Sequence, residues 1–125
     1  MRQLGTPSLS RVSAARRIER IRLELAANIE QIPAFAELAS IAGMSRSQLS
    51  RNFHRFVGAS LRAYVLDLRL KRACELLADS TQSITATSVE CGFYDASHFD
   101  RVFRRRFGIT PGEFRRRYVK RRKAG

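Results

Sequence analysis

Acidic residues are scarce in this chain. Its 125 residues hold 11 Asp+Glu against 24 Lys+Arg, a formal net charge of +13. Cysteine and histidine occur twice each, proline three times, and no stretch of 18 residues is both apolar and uncharged. Without such a stretch, no membrane-spanning helix is expected. Residues 1–10 lack an apolar run before a cleavage site, so no signal peptide is expected, and the cytoplasm is the expected compartment. Cys74 and Cys91 lie far apart among apolar neighbours and read as buried free thiols rather than a disulfide framework. His54 and His98 have no ligand partners at metal spacing, so no metal site is expected. Cys91 and His98 straddle a helix boundary, which does not set up a thiolate–base pair. Gly-rich phosphate loops, nucleophile elbows and His-Glu zinc motifs are absent, so catalytic residues, cofactors and a small-molecule site are not expected.

What is abundant is arginine, 21 of the 24 basic residues. Arginine presents a planar fork that fits phosphates and guanine edges. The charge is also uneven: residues 1–100 carry a net +3 and residues 101–125 a net +10. A polyanion, nucleic acid first, is the partner this favours, with a merely solubilising surface as the competing reading. Hydrophobic residues make up 44% of the chain, enough for one compact domain or two very small ones.

The apolar spacing is helical nearly throughout and predicts an all-α fold of seven helices. A first helix is expected over about 12–30, burying Ile18, Ile21, Leu25 and Ile29, with Arg16, Arg17, Arg20 and Glu24 facing water. After Pro33 a short helix runs to Ala42 with Phe35, Leu38 and Ile41 inward, and Gly43 ends it in a left-handed conformation. Ser45 and Gln48 form a capping box for a third helix that turns Leu49, Phe53, Phe56 and Val57 to one side. Ser47, Ser50, Arg51 and His54 take the other side, and Gly58 stops the helix. A fourth helix over about 60–79 has two apolar sides: Leu61, Tyr64, Val65 and Leu68 early, then Leu66, Leu70, Ala73, Cys74 and Leu77. One core cannot sit on both, so this helix is read as a linker between two small cores. A weak fifth helix follows at about 83–91, ended by Gly92. Asp95 caps a sixth over about 96–107, with Phe99, Val102, Phe103 and Phe107 inward. Thr110, Pro111 and Glu113 open the last helix, anchored by Phe114 and Tyr118 and expected to fray along its cationic end. The expected organisation is a disordered lead or interdomain linker at 1–11, a first helix-turn-helix subdomain at 12–59, the linker helix at 60–79, a second subdomain at 80–119 and a basic tail at 120–125.

Two segments match. Gly43 pairs with Gly92 at a shift of 49 residues, while Leu49, Arg51, Phe53 and Gly58 pair with Phe99, Arg101, Phe103 and Gly108 at 50, so the second copy has one extra turn residue. Each copy is a short helix, a Gly turn, an N-cap and a longer helix with a polar outer face. This is the helix-turn-helix plan, whose second helix enters the major groove. A linker helix of about 20 residues spans ~30 Å, close to the ~34–36 Å between successive major-groove faces. One chain could therefore present Arg51 and Arg101 to adjacent grooves.

From about residue 15 to 118 the chain resembles the DNA-binding domain of the AraC/XylS family of bacterial transcription regulators. The resemblance rests on Leu38, Ala39, Gly43, Met44 and Ser45, then Leu49 to Phe53, Gly58, Tyr64, Arg69, Leu70, Ala73, Leu76 and Leu77. Its most specific part is Cys91 to Phe93, Ser97 to Phe99, Arg101 to Phe103, Phe107 and Gly108, and Thr110 to Arg115. It implies seven helices, asymmetric binding to promoter DNA, and activation through contact with RNA polymerase. It also implies base contacts from Arg46, Ser47, Ser50 and Arg51 in one unit and Ala96, Ser97, Asp100 and Arg101 in the other. His54, Arg55, Arg104 and Arg105 suit phosphates. Asp100 could accept from a cytosine amine or orient Arg101 or Arg104.

The chain departs from the family at Thr87 and Ser88, where Ile and Ala are usual, at Ala34 in place of a Ser or Thr cap, and at Ala96 in place of a longer polar residue. The first two are expected to loosen their helices and the third to weaken hydrogen-bonded readout. Few residues precede the first helix, so this is read as either a stand-alone regulator or an excised domain. A general nucleic-acid binder driven by the cationic 101–125 segment is the competing function.

Overall fold

The computed structural model describes residues 9–79 and 81–119. Residues 1–8 of the expected lead at 1–11 and the tail at 120–125 lie outside the described residues, while residues 9–11, expected in that lead, are helical. The described residues form seven helices and no strand: α1 (Leu9–Ala27), α2 (Phe35–Ala42), α3 (Arg46–Val57), α4 (Leu61–Asp79), α5 (Ile84–Glu90), α6 (Ala96–Phe107) and α7 (Pro111–Tyr118). They belong to two compact units, one of Met1–Asn28 with Ile32–Tyr64, the other of Ile29–Gln31 with Val65–Gly125.

In the first unit α1 packs on α2 and α3. Ile18, Ile21 and Leu25 recur at helical spacing and are at most 1% exposed. They meet a core completed by Leu38, Ala39, Ala42, Leu49 and Phe53. Ala39 and Ala42 are small, which lets α2 approach closely. α1 differs from expectation at both ends. It is already helical at Leu9, the first described residue, and stops at Ala27, where Asn28 Nδ2 donates to the Glu24 carbonyl at 2.7 Å. Ile29 therefore lies beyond the helix, only partly buried, and belongs to the second unit. Glu24 is half-buried rather than facing water.

α2 has Ala34 at its N-cap with no side-chain hydrogen bond, as the substitution there implies. Its other end is the secured one. Gly43 has φ 65°, its N–H reaches Ser40 O at 3.0 Å, and Met44 N–H reaches Ala39 O at 2.9 Å. Arg17 Nη1 adds bonds to the carbonyls of Ala42 (3.3 Å) and Gly43 (3.1 Å). Arg17 was expected simply to face water; its guanidinium instead caps the helix next door.

In the second unit Leu70, Ala73 and Leu77 from α4 join Cys91, Phe93, Phe99 and Phe103 in one cluster, with Leu66, Cys74, Ile84, Val102 and Phe114 packed against it. At the other end of α4, Leu61 is buried and the Tyr64 ring meets Phe53 within the first unit. The two-sided apolar pattern of this helix thus corresponds to two cores. Thr87 and Ser88 are fully buried. Their hydroxyls donate to Ser83 O (2.9 Å) and Thr85 O (2.7 Å), so burial leaves neither without a partner. Ser83 also caps α5, accepting from Ala86 N–H at 3.0 Å, so α5 is short but closed. Two expected anchors are not buried: Phe107 is 41% exposed and Tyr118 54%. Both lie at the open end of a ring series in which Phe107 meets Phe103 and Phe114, and Tyr118 meets Phe114.

Candidate nucleic-acid interface

The two turns that lead into α3 and α6 are built alike. Gly43 N–H to Ser40 O and Met44 N–H to Ala39 O are matched by Gly92 N–H to Val89 O (3.0 Å) and Phe93 N–H to Ser88 O (2.9 Å). Each of these two helices then opens on an acceptor side chain. Ser45 Oγ accepts from Gln48 N–H at 3.1 Å while Gln48 Oε1 accepts from Ser45 N–H at 2.9 Å. Asp95 Oδ1 accepts from His98 N–H at 2.7 Å. Each ends at a left-handed glycine, Gly58 (φ 89°) and Gly108 (φ 79°). The anchoring is also duplicated. Leu49 and Phe53 are completely buried, as are Phe99 and Phe103. Phe53 meets Tyr64 edge-on at 5.3 Å, and Phe103 meets Phe114 edge-on at 5.5 Å.

The repeat is longer than the sequence reading found. Ser60 and Thr110 cap α4 and α7 at the same shift of 50 residues, and Tyr64 and Phe114 keep it. Farther back, Ile18, Ile21 and Leu25 of α1 correspond to Leu70, Ala73 and Leu77 of α4 at a shift of 52. Arg17 then falls on Arg69. Arg69 lies against the Gly92 turn, its Nε buried without a hydrogen-bond partner, and burial lowers its pKa. The spacing of the three core residues was the available signal for this longer match.

With the apolar stripes buried, the opposite faces of α3 and α6 are set out in register. Arg46, Ser47, Ser50, Arg51, His54 and Arg55 are all exposed. At a shift of 50 stand Ala96 and Asp100, partly buried, and Ser97, Arg101, Arg104 and Arg105, exposed. Each unit thus brings its four candidate base-reading residues and two candidate phosphate residues onto one helix. Three side chains are held in place. The Arg46 guanidinium lies 5.4 Å from the centre of the Phe35 ring, and Arg55 lies 5.8 Å from that of Phe56. Asp100 Oδ2 is 3.5 Å from Arg104 Nε, so the carboxylate orients Arg104.

Part of the arginine excess serves the fold instead. Arg106 pairs with Asp67, and Arg115 Nε donates to Leu77 O at 3.1 Å. Both lie in the segment whose charge was read mainly as phosphate attraction. Both thiols are held toward the protonated form. Burial, with Glu90 beside it, pushes Cys91 up to about 12; Cys74 is partly exposed and raised by burial and Glu75. An apolar groove of about 380 Å³ on the first unit is lined by Arg11, Val12, Ala15, Arg16, Glu19 and Phe56, none of them a candidate contact residue. No helix among the described residues is long and apolar enough to cross a membrane.

Residues 38–117 match the family described as a helix-turn-helix domain. The chain is 38% identical to the transcriptional regulator ArgR of Pseudomonas aeruginosa over 74% of its own length and 28% of that protein's, so it spans little more than a quarter of this relative. A crystal structure from Chromobacterium violaceum, described as a transcriptional regulator with an AraC-type DNA-binding domain, superposes with a TM-score of 0.77 at 33% identity, over 87% of this chain and 97% of that one. The DNA-binding domain of AdpA, solved with a target DNA, has the same fold: TM-score 0.77 at 24% identity, covering 82% and 92% of the two chains. These are transcription regulators rather than enzymes. A duplicated turn, a duplicated anchored helix, and matches that cover most of the chain lead to one conclusion: the chain belongs to the AraC-type helix-turn-helix family of DNA-binding transcription regulators.

Proposed function

We propose that this chain binds promoter DNA sequence-specifically, with α3 and α6 in adjacent major grooves of one duplex. The observation that carries this is the register of the two polar faces, each opposite a fully buried stripe of Leu49 and Phe53 or Phe99 and Phe103. Arg51 and Arg101 fork onto guanine O6 and N7, each worth about 1–3 kcal/mol of base discrimination. Ser47, Ser50 and Ser97 reach base edges or the adjoining backbone, Arg46 reads from its seat on Phe35, and the Ala96 methyl meets a thymine methyl. His54, Arg55, Arg104 and Arg105 contact phosphates. A helix of 19 residues, as α4 is, measures ~28 Å, a length suited to successive grooves. By family resemblance the outcome of binding is activation through RNA polymerase, in the cytoplasm.

The test is affinity for a selected operator and for an unrelated duplex at one salt concentration. Arg51→Ala and Arg101→Ala are expected to weaken operator binding about 10- to 100-fold and unrelated binding far less. Equal losses on both duplexes overturn the base-reading roles.

A further inference from the structure

The second copy of the turn contains one residue more than the first, and the hydrogen bonds identify it. Met44 and Phe93 occupy equivalent places, each donating its N–H to the carbonyl five residues back. Ser45 and Asp95 are equivalent N-caps. Between Phe93 and Asp95 stands Tyr94, with no counterpart between Met44 and Ser45.

The residue just before an N-cap commonly packs on the fourth helical residue and fixes the entry angle of the chain. In α6 that fourth residue is Phe99. Its ring is met at 4.9 Å by Phe93, which is buried. The extra residue has shifted that packing role back by one position. Tyr94 is left 89% exposed, the highest value among the exposed large hydrophobic residues described. An aromatic ring so placed buries nothing for the fold. It stands immediately before a reading helix, and the N-terminal part of such a helix is what enters the major groove. Chain just outside that end lies at the groove's lip, beside the phosphates, where tyrosine hydroxyls are among the donors used.

We infer that Tyr94 is a further DNA contact, its phenol donating a hydrogen bond to a backbone phosphate at the lip of the groove entered by α6. This rests on the function proposed above and extends it. The contact belongs to the second unit alone and supplements a face in which Ala96 offers only a methyl. A phenol, unlike a guanidinium, releases no counterion from the phosphate it meets.

The experiment compares wild type, Tyr94→Phe and Tyr94→Ala on the selected operator, unmodified and with single methylphosphonates placed in turn along the half-site read by α6. Thermal unfolding of the three proteins checks that the fold is unchanged. Expected are a several-fold loss for Tyr94→Phe, a loss of about tenfold for Tyr94→Ala, and a salt dependence like that of wild type. One methylphosphonate position should weaken wild type and leave Tyr94→Phe no weaker than it already is. Wild-type affinity of Tyr94→Phe, or equal sensitivity of both proteins at every methylphosphonate, overturns the assignment and leaves the proposed function standing. A wild-type chain that prefers no duplex over another overturns the function proposed above and the Tyr94 contact with it.

Discussion

The two units share one backbone plan and secure it by different means. In the first, the turn after α2 is held by a donor: Arg17 reaches two carbonyls of the turn, and a Cβ on Gly43 would meet only Arg17 Nη1 at 3.6 Å. In the second, the Nε of the equivalent Arg69 is buried against the turn without a hydrogen-bond partner, and the turn is closely packed. A Cβ on Gly92 would lie 2.7 Å from the carbonyl oxygen of Ile29 and 2.9 Å from Arg69 Nε. The polar faces diverge as well. At the four candidate base-reading positions the first carries two arginines and two serines, the second one arginine with Ala96, Ser97 and Asp100. The buried stripe is kept because it sets the helix in place, while the outer face is free to change because nothing in the fold depends on it.

The sharpest way to break this comparison is at the two turns. Gly92→Ala combines a left-handed φ of 85° with a backbone clash, and is expected to cost about 3 kcal/mol or more. Gly43→Ala, at φ 65° with room for a methyl, is expected to cost about 1 kcal/mol. Urea unfolding of both variants checks this, and equal losses would mean that the second turn is no tighter than the first. Next in size is the removal of the donor. Arg17→Ala leaves the end of α2 without two of its bonds and is expected to lose about 1 kcal/mol or somewhat more. Arg69→Ala removes a buried Nε that has no partner, so a loss smaller than that of Arg17→Ala is expected in the same measurement. Smaller still is Asp100→Asn. The Asp100–Arg104 pair is exposed, so stability should change by less than about 1 kcal/mol. Affinity for unrelated duplex should rise slightly with the loss of a negative charge. Finally, Cys91 should resist a thiol reagent at pH 8 while Cys74, partly exposed, reacts first. The raised Cys91 value has a consequence for stability. Its contribution is full below the ordinary thiol value of 9 and is lost as pH rises toward 12, so Cys91→Ala should flatten alkaline unfolding in that window.

Much of this was legible in the sequence, for reasons that differ by region. The caps at Ser45, Asp95 and Thr110 and the turn at Gly43 are local devices, so their residues announce them. The two-sided pattern of α4 was readable because Leu61 and Tyr64 belong to the first unit and Leu66, Leu70, Ala73, Cys74 and Leu77 to the core of the second, although Val65 and Leu68, read with the first side, fall in the second unit. The exposure of Phe107 and Tyr118 was missed because helical spacing marks a face but not where the core beneath that face ends along it. The fold contacts of Arg17, Arg106 and Arg115 were not legible because a guanidinium's partner can lie more than 20 residues away, as Ala42, Asp67 and Leu77 do. The candidate contact residues came from the family resemblance; the structure puts each set of six on one helix, opposite its buried stripe. Thr87 and Ser88 were expected to loosen α5; local acceptors at Ser83 O and Thr85 O make them compatible with a closed helix.

We propose that α3 and α6 engage one duplex as equivalent reading helices. Selection from random duplexes followed by hydroxyl-radical footprinting tests it most directly. The account predicts two protected segments on one face of the DNA, centred about one helical turn, ~10 base pairs, apart, with Arg51→Ala relaxing base preference in one and Arg101→Ala in the other. A single protected segment, or both substitutions relaxing the same bases, would contradict it.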